Sequence, residues 1–157
     1  MQIVVERVTA PTDEVRTLVG ELEAALSAHY PAHQRHGLPL EAIFQPHIRF
    51  FVARAADEAV GCGGVALLVG CAELKRMYVR ESVRGQGIAP ALLSRLREEA
   101  QTAGYRMLRL ETGTEQHAAI RFYQREGFRP CSPFGDYASM QPDGIAASVF
   151  MEQTLPA

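Results

Sequence analysis

An α/β fold (α+β by stricter usage) is expected for this chain: a mixed, twisted six- to seven-stranded sheet with about four helices on both faces. Three observations predict it. Seven short strand-like stretches alternate with helical stripes along 157 residues. Residues 49–55 and 60–69 flank a tight turn at Asp57-Glu58, which makes an antiparallel hairpin. Residues 72–80, a helical stripe and residues 106–112 follow in an order that needs a right-handed crossover and a parallel pair. At this length one domain over residues 1–157 is the default, with enough chain for a real core.

The elements follow in order. Residues 2–8 alternate as a strand. Thr12 caps a helix whose Val15, Leu18, Val19, Leu22 and Leu26 recur at three- and four-residue steps. Pro31 ends it near residues 28–30. Residues 30–38 are a loop rich in His and Arg, and a short helix over 39–44 follows. Gly61, Gly63 and Gly64 weaken the strand over 60–69 and predict a bulge in it. Ile88, Leu92, Leu93, Leu96, Ala100 and Ala103 form one helical face, closed by Gly104 as the C′ residue. Thr114 is the expected cap of the next helix, which Gly127 ends. Residues 128–131 begin a strand, 132–144 are turn-rich, and 147–154 close the chain as a strand.

Composition excludes several classes. The chain is 47% hydrophobic and 22% charged, which argues against disorder. A net charge of −2 without a basic run gives no footprint for nucleic acid. No apolar segment approaches the ~20 residues that span a bilayer, so no membrane partner is expected. The first residues read as a strand rather than a signal peptide. Cys62, Cys71 and Cys131, odd in number and in no CxxC spacing, are expected as buried free thiols of a cytoplasmic protein.

The stretch Val83-Arg84-Gly85-Gln86-Gly87-Ile88-Ala89-Pro90 carries the first functional signal. A strand enters it and a helix leaves it. The first N–H groups of a helix have no intrahelical partner, and the helix dipole adds positive charge there, so a phosphate fits. Gly85 and Gly87 let the backbone approach a ligand, Pro90 costs nothing in a first helical turn, and Arg84 adds charge. The pattern is neither GxGxxG nor a P-loop, since no Gly-Lys-Ser/Thr follows.

What the loop does match is Arg/Gln-x-x-Gly-x-Gly/Ala. Upstream, Ala72-Glu-Leu-Lys-Arg-Met-Tyr-Val79 leads into it. Downstream stands Gln116-x-x-Ala119-x-x-x-Tyr123-x-x-x-Gly127-Phe128. Together these resemble the GCN5-related N-acetyltransferase (GNAT) family over residues 48–131. Glu-Leu-Lys-Arg-Met-Tyr-Val, Leu-Arg-Leu-Glu-Thr-Gly and Pro-Phe-Gly-Asp-Tyr look like a bacterial subgroup of small, mostly uncharacterised GNAT-domain proteins.

The resemblance implies the acyl-CoA N-acyltransferase fold and acetyl-CoA as co-substrate, with no metal. It implies that Arg84, Gly85, Gln86, Gly87, Ile88 and Ala89 hold the CoA pyrophosphate. Met77, Tyr78 and Val79 would line the pantetheine arm, where the fourth and fifth strands splay at a bulge. Gln116, where many members have Asn, would contact pantetheine. Tyr123 is the implied catalytic acid near the sulfur, and Glu73 the implied base for the amine proton. Cys62, Cys71 and Cys131 do not present as covalent nucleophiles, so direct attack in a ternary complex is expected. The acceptor is expected to be a primary amine, small rather than a peptide. Protein or peptide acetylation, and a non-catalytic acyl-CoA sensor, are the competing readings. A homodimer is compatible with the resemblance. His29, His33 and His36 are read as acceptor-loop residues rather than metal ligands. Arg35 and Arg49 are candidates for holding a carboxylate on the acceptor. Phe134, Asp136 and Tyr137 are candidates for lining its pocket.

Overall fold

The computed structural model describes residues 2–157. Among them, β1 (Ile3–Val8), β2 (Ile48–Ala55), β3 (Glu58–Leu67), β4 (Ala72–Val79), β5 (Met107–Gly113), β6 (Arg129–Pro130) and β7 (Ser148–Thr154) form one sheet in the order β1-β2-β3-β4-β5-β7-β6. Only β4 and β5 pair in parallel; the other neighbours are antiparallel. The helices are α1 (Asp13–Ser27), α2 (Ile88–Thr102), α3 (His117–Arg125) and the short α4 (Pro142–Ile145).

The helices lie on both faces, because each has one apolar stripe to bury. Thr12 caps α1 as expected, accepting from the Val15 N–H at 3.3 Å. Val15, Leu18 and Val19 pack on Phe50, Val52 and Cys62. On the other face Leu92, Leu93 and Leu96 of α2 are fully buried against Phe51, Ala53 and Val65. Each such leucine contributes about 1.5–3 kcal/mol relative to exposure. Strand β2 is therefore covered by apolar packing on both sides, as an interior strand between two helical layers is.

Five local expectations are corrected. The hairpin turn is Ala56-Asp57, both at positive φ, and Glu58 already belongs to β3. The cap of α3 is Gln116, not Thr114. The Thr114 N–H donates instead to the Ala147 carbonyl, and the helix starts only after the Gln116 N–H has closed a turn on Gly113. Cys131 is half-buried rather than buried, because β6 is a two-residue edge strand, where Pro130 is tolerated. Residues 39–44 form only a three-residue 3₁₀ turn, Leu40–Ala42. The fifth concerns the bulge.

Strand β3 does carry one extra residue against β2, Val60 between the Ala53↔Gly61 and Arg54↔Ala59 pairs. At the glycines themselves, however, the extra residue lies in β4. The pairs Gly64↔Lys75 and Cys62↔Tyr78 leave Arg76 and Met77 opposite Gly63 alone. Arg76 takes φ 56°, a left-handed value. Gly63 allows this, since a Cβ there would stand 2.5 Å from the Met77 sulfur. A bulge bends its strand. Beyond Ala72↔Leu108 and Glu73↔Arg109, β4 parts from β5. Strand β5 cannot follow, because β7 holds it from Met107 to Gly113. A wedge opens between the two central strands.

Candidate active site

The glycine loop sits at the start of α2. Gly85 and Gly87 have φ of 79° and 89°, and Gly87 is the helix N-cap. No side chain caps this helix end. Its leading N–H groups are thus open to an anion, where the sequence expects Arg84, Gly85, Gln86, Gly87, Ile88 and Ala89 to hold one, although the Arg84 N–H itself donates to the Glu81 carbonyl at 3.3 Å. The Ile88 side chain is buried in the core, so only its backbone faces the loop. Arg84 Nε donates to the Val79 carbonyl at 3.0 Å, which ties the loop to the end of β4.

The wedge continues into a cavity of about 140 Å³. Glu73, Met77, Gln116 and Tyr123 all line it, so four residues separated by up to fifty positions meet there. Tyr123 packs edge-on against Phe128, with centroids 5.5 Å apart, and beside Phe122. Burial alone pushes its phenol above the usual value, so it stays protonated at neutral pH. Tyr78 turns the other way: its ring joins the α1 face and its hydroxyl donates to Glu21 at 3.0 Å. Only the Tyr78 backbone remains for a cofactor.

The polar side of the cavity is built on alternate residues of β4 and β5. Glu73 is buried; its Oε2 accepts from the Tyr137 hydroxyl at 2.7 Å and pairs with Lys75 Nζ at 2.9 Å. Lys75 also donates to the Tyr137 oxygen at 3.1 Å. Burial and the Glu73 charge push the Tyr137 phenol well up. Glu111 accepts from Ser148 Oγ at 2.7 Å, and burial raises its carboxyl above the usual range. Tyr30 closes one side, its hydroxyl accepting from the Glu115 N–H at 2.9 Å. Its ring lies where a side chain on Gly113 would stand.

Two loops cover this region. Gln34, Arg35, His36 and Gly37 line the cavity, as does Tyr137 from the 3₁₀ helix Gly135–Ser139. His36 reaches the Gly144 carbonyl at 2.6 Å and stands edge-on to Tyr137. His33 pairs with Asp143 at 2.7 Å. Phe134 belongs to a small apolar cluster with Phe150, and Asp136 lines a neighbouring cavity. Arg49, a candidate for the acceptor's carboxylate, is excluded: it pairs with Glu99 of α2 at 3.0 Å, away from the cavity. Among the described residues no three His, Cys, Asp or Glu groups converge as metal ligands would.

Residues 18–128 match the model of the Acetyltransferase (GNAT) family. The chain belongs to the GNAT family. An IAA acetyltransferase of Azospirillum brasilense is 40% identical over 155 residues, covering 98% of both chains. YsnE of Bacillus subtilis strain 168, described as an uncharacterized N-acetyltransferase, is 35% identical, covering 90% of this chain and 93% of its own. A solved structure, a putative acyl-CoA N-acyltransferase from Klebsiella pneumoniae subsp. pneumoniae MGH 78578, superimposes with a TM-score of 0.78 at 34% identity, over 99% of each chain. This chain is thus an N-acetyltransferase, with the acyl-CoA N-acyltransferase fold.

The GNAT motif residues are the ones motif spacing singled out. Tyr30, Lys75, Arg76 and Glu111 also line the cavity, and motif spacing assigns them no role there. Two had a signal. Arg109 and Glu111 alternate with buried Leu108 and Leu110, which marks a polar face on β5. Lys75-Arg76, two charges in succession inside a strand, break the alternation where the bulge lies. Tyr30 had none, since its partner Gly113 is 83 residues away.

Proposed function

We propose that this chain moves the acetyl group of acetyl-CoA to a primary amine of a small acceptor, by direct attack in a ternary complex. One observation carries the reading: the wedge between β4 and β5 joins an uncapped glycine loop to a covered cavity with carboxylates on one side and a buried tyrosine on another. The CoA pyrophosphate would rest on the N–H groups of residues 85–89, with Arg84 beside them, and the pantetheine arm would enter the wedge past Met77, Val79 and Gln116. The amine nitrogen attacks the thioester carbon and the C–S bond breaks. Tyr123 gives its proton to the leaving sulfur. The amine's surplus proton passes to a carboxylate of the cavity, Glu73 by the family resemblance.

Burial supports direct attack over a thiol relay. It pushes the Cys62 thiol up to about 12, and it raises Cys71 and Cys131 as well, so none is an activated nucleophile. The cover formed by Tyr30, residues 34–37 and Tyr137 favours a small acceptor over a peptide. The test is twofold. Calorimetry should register acetyl-CoA binding, and CoA release should depend on an added amine drawn from amino acids, polyamines, aminoglycosides and peptides. Binding without turnover of any amine would leave the sensor reading instead.

A further inference from the structure

Two buried guanidinium nitrogens, on residues that line this cavity, have no hydrogen-bond partner: Nη1 of Arg76 and Nε of Arg35. The Arg76 side chain is only 4% exposed. Its Nε donates to the Leu38 carbonyl at 2.9 Å and its Nη2 pairs with Glu23. Arg35 Nη1 pairs with the other oxygen of Glu23 at 3.0 Å. One carboxylate thus serves two cations, and the trio keeps a net positive charge. Gly37 fits this arrangement: a Cβ there would collide with the Arg76 guanidinium.

A buried donor left unpaired is costly, and more so when it is charged. Such a group calls for an explanation, and a ligand acceptor that arrives with the substrate is one. Arginine N–H groups are suited to carboxylate and phosphonate oxygens. The same cavity presents Glu73 and Glu111, which suit an ammonium group.

We propose that Arg76 and Arg35 form an oxyanion-binding subsite, so that the acceptors are amines that also carry a carboxylate or phosphonate. This rests on the acetyl-transfer reading. Arg76, held by the bulge and backed by Gly37, is the fixed half of the subsite. Arg35, more exposed and on the covering loop, completes it when the acceptor is bound.

Matched acceptors test it: β-alanine and 2-aminoethylphosphonate against β-alaninamide and ethanolamine. The anionic amines should be preferred in kcat/KM by about tenfold or more. Arg76→Gln should bring that ratio near unity, and Arg35→Gln should lower it. The ratio is insensitive to a variant's loss of active protein, since both substrates scale together. Neutral amines used equally well by the wild type would overturn the subsite while leaving acetyl transfer intact. So would a ratio that neither variant moves. If no amine is acetylated, the acetyl-transfer reading fails, and NMR titration of the CoA complex decides the subsite by itself. Propionate and methylphosphonate should shift the Arg76 and Arg35 guanidinium signals where propionamide does not; unmoved signals would overturn the proposal.

Discussion

Tyr123 and Glu73 stand on the same cavity but in unlike surroundings, and their substitutions should therefore separate. Tyr123 has aromatic neighbours and a phenol raised by burial. Tyr123→Phe should keep the packing and lower kcat roughly 10²-fold, with little change in the KM for acetyl-CoA. An unchanged kcat in steady-state assays would remove its acid role. Glu73 has one oxygen engaged by both Lys75 and Tyr137. Glu73→Gln should depress activity most at low pH, where the amine is chiefly protonated; a small, uniform loss would make the residue structural. Glu111 bears on stability. Its folded pKa is raised, chiefly by desolvation, so the folded state holds this proton more tightly than the unfolded chain does. Stability from this group is full below the ordinary value of 4.5 and is lost as pH rises through the raised one. Glu111→Gln should then melt above the wild type at pH 7, the difference closing toward pH 4 in a calorimetric series.

At the scale of elements, the glycine loop and the bulge decide the architecture of the site. Gly87 has φ 89°, while the nearest atom to a Cβ there is 3.7 Å away, so backbone conformation rather than space demands glycine. Gly87→Ala should cost about 1–2 kcal/mol in that conformation. The loop would resist it by leaving the left-handed region, and acetyl-CoA should bind about tenfold more weakly by calorimetry. The loop was legible because its motif consists of residue types at fixed spacing. The bulge was legible only in part. The glycines of β3 marked the right place, but the strand that gains the residue is β4, because Gly63 yields the space that Met77 takes. The cap of α3 was misplaced for a related reason: Thr114 has the chemistry of a cap, but its backbone is held by the Ala147 carbonyl.

At the scale of the molecule, the α2 face of the sheet is one continuous cluster, from Phe51 through Leu96 and Leu108 to Leu155. We propose that residues 1–157 unfold as one unit, with circular dichroism and tyrosine fluorescence giving coincident urea transitions. Leu96→Ala, at a site with no exposed surface, should lower that stability by about 2–5 kcal/mol. Two midpoints in the wild type would contradict a single unit. The sequence by itself determined the strand and helix order, the mixed sheet, the glycine loop ahead of α2 and the family, because periodicity and motif spacing are local properties of a chain. Only the tertiary structure decided which side chains share the cavity. It set Arg49 on Glu99 and turned Tyr78 toward α1, and it brought Tyr30, Arg76 and Glu111 in beside Tyr123. Those placements depend on sheet register, on one extra residue in β4 and on pairings between distant segments, which no local pattern encodes.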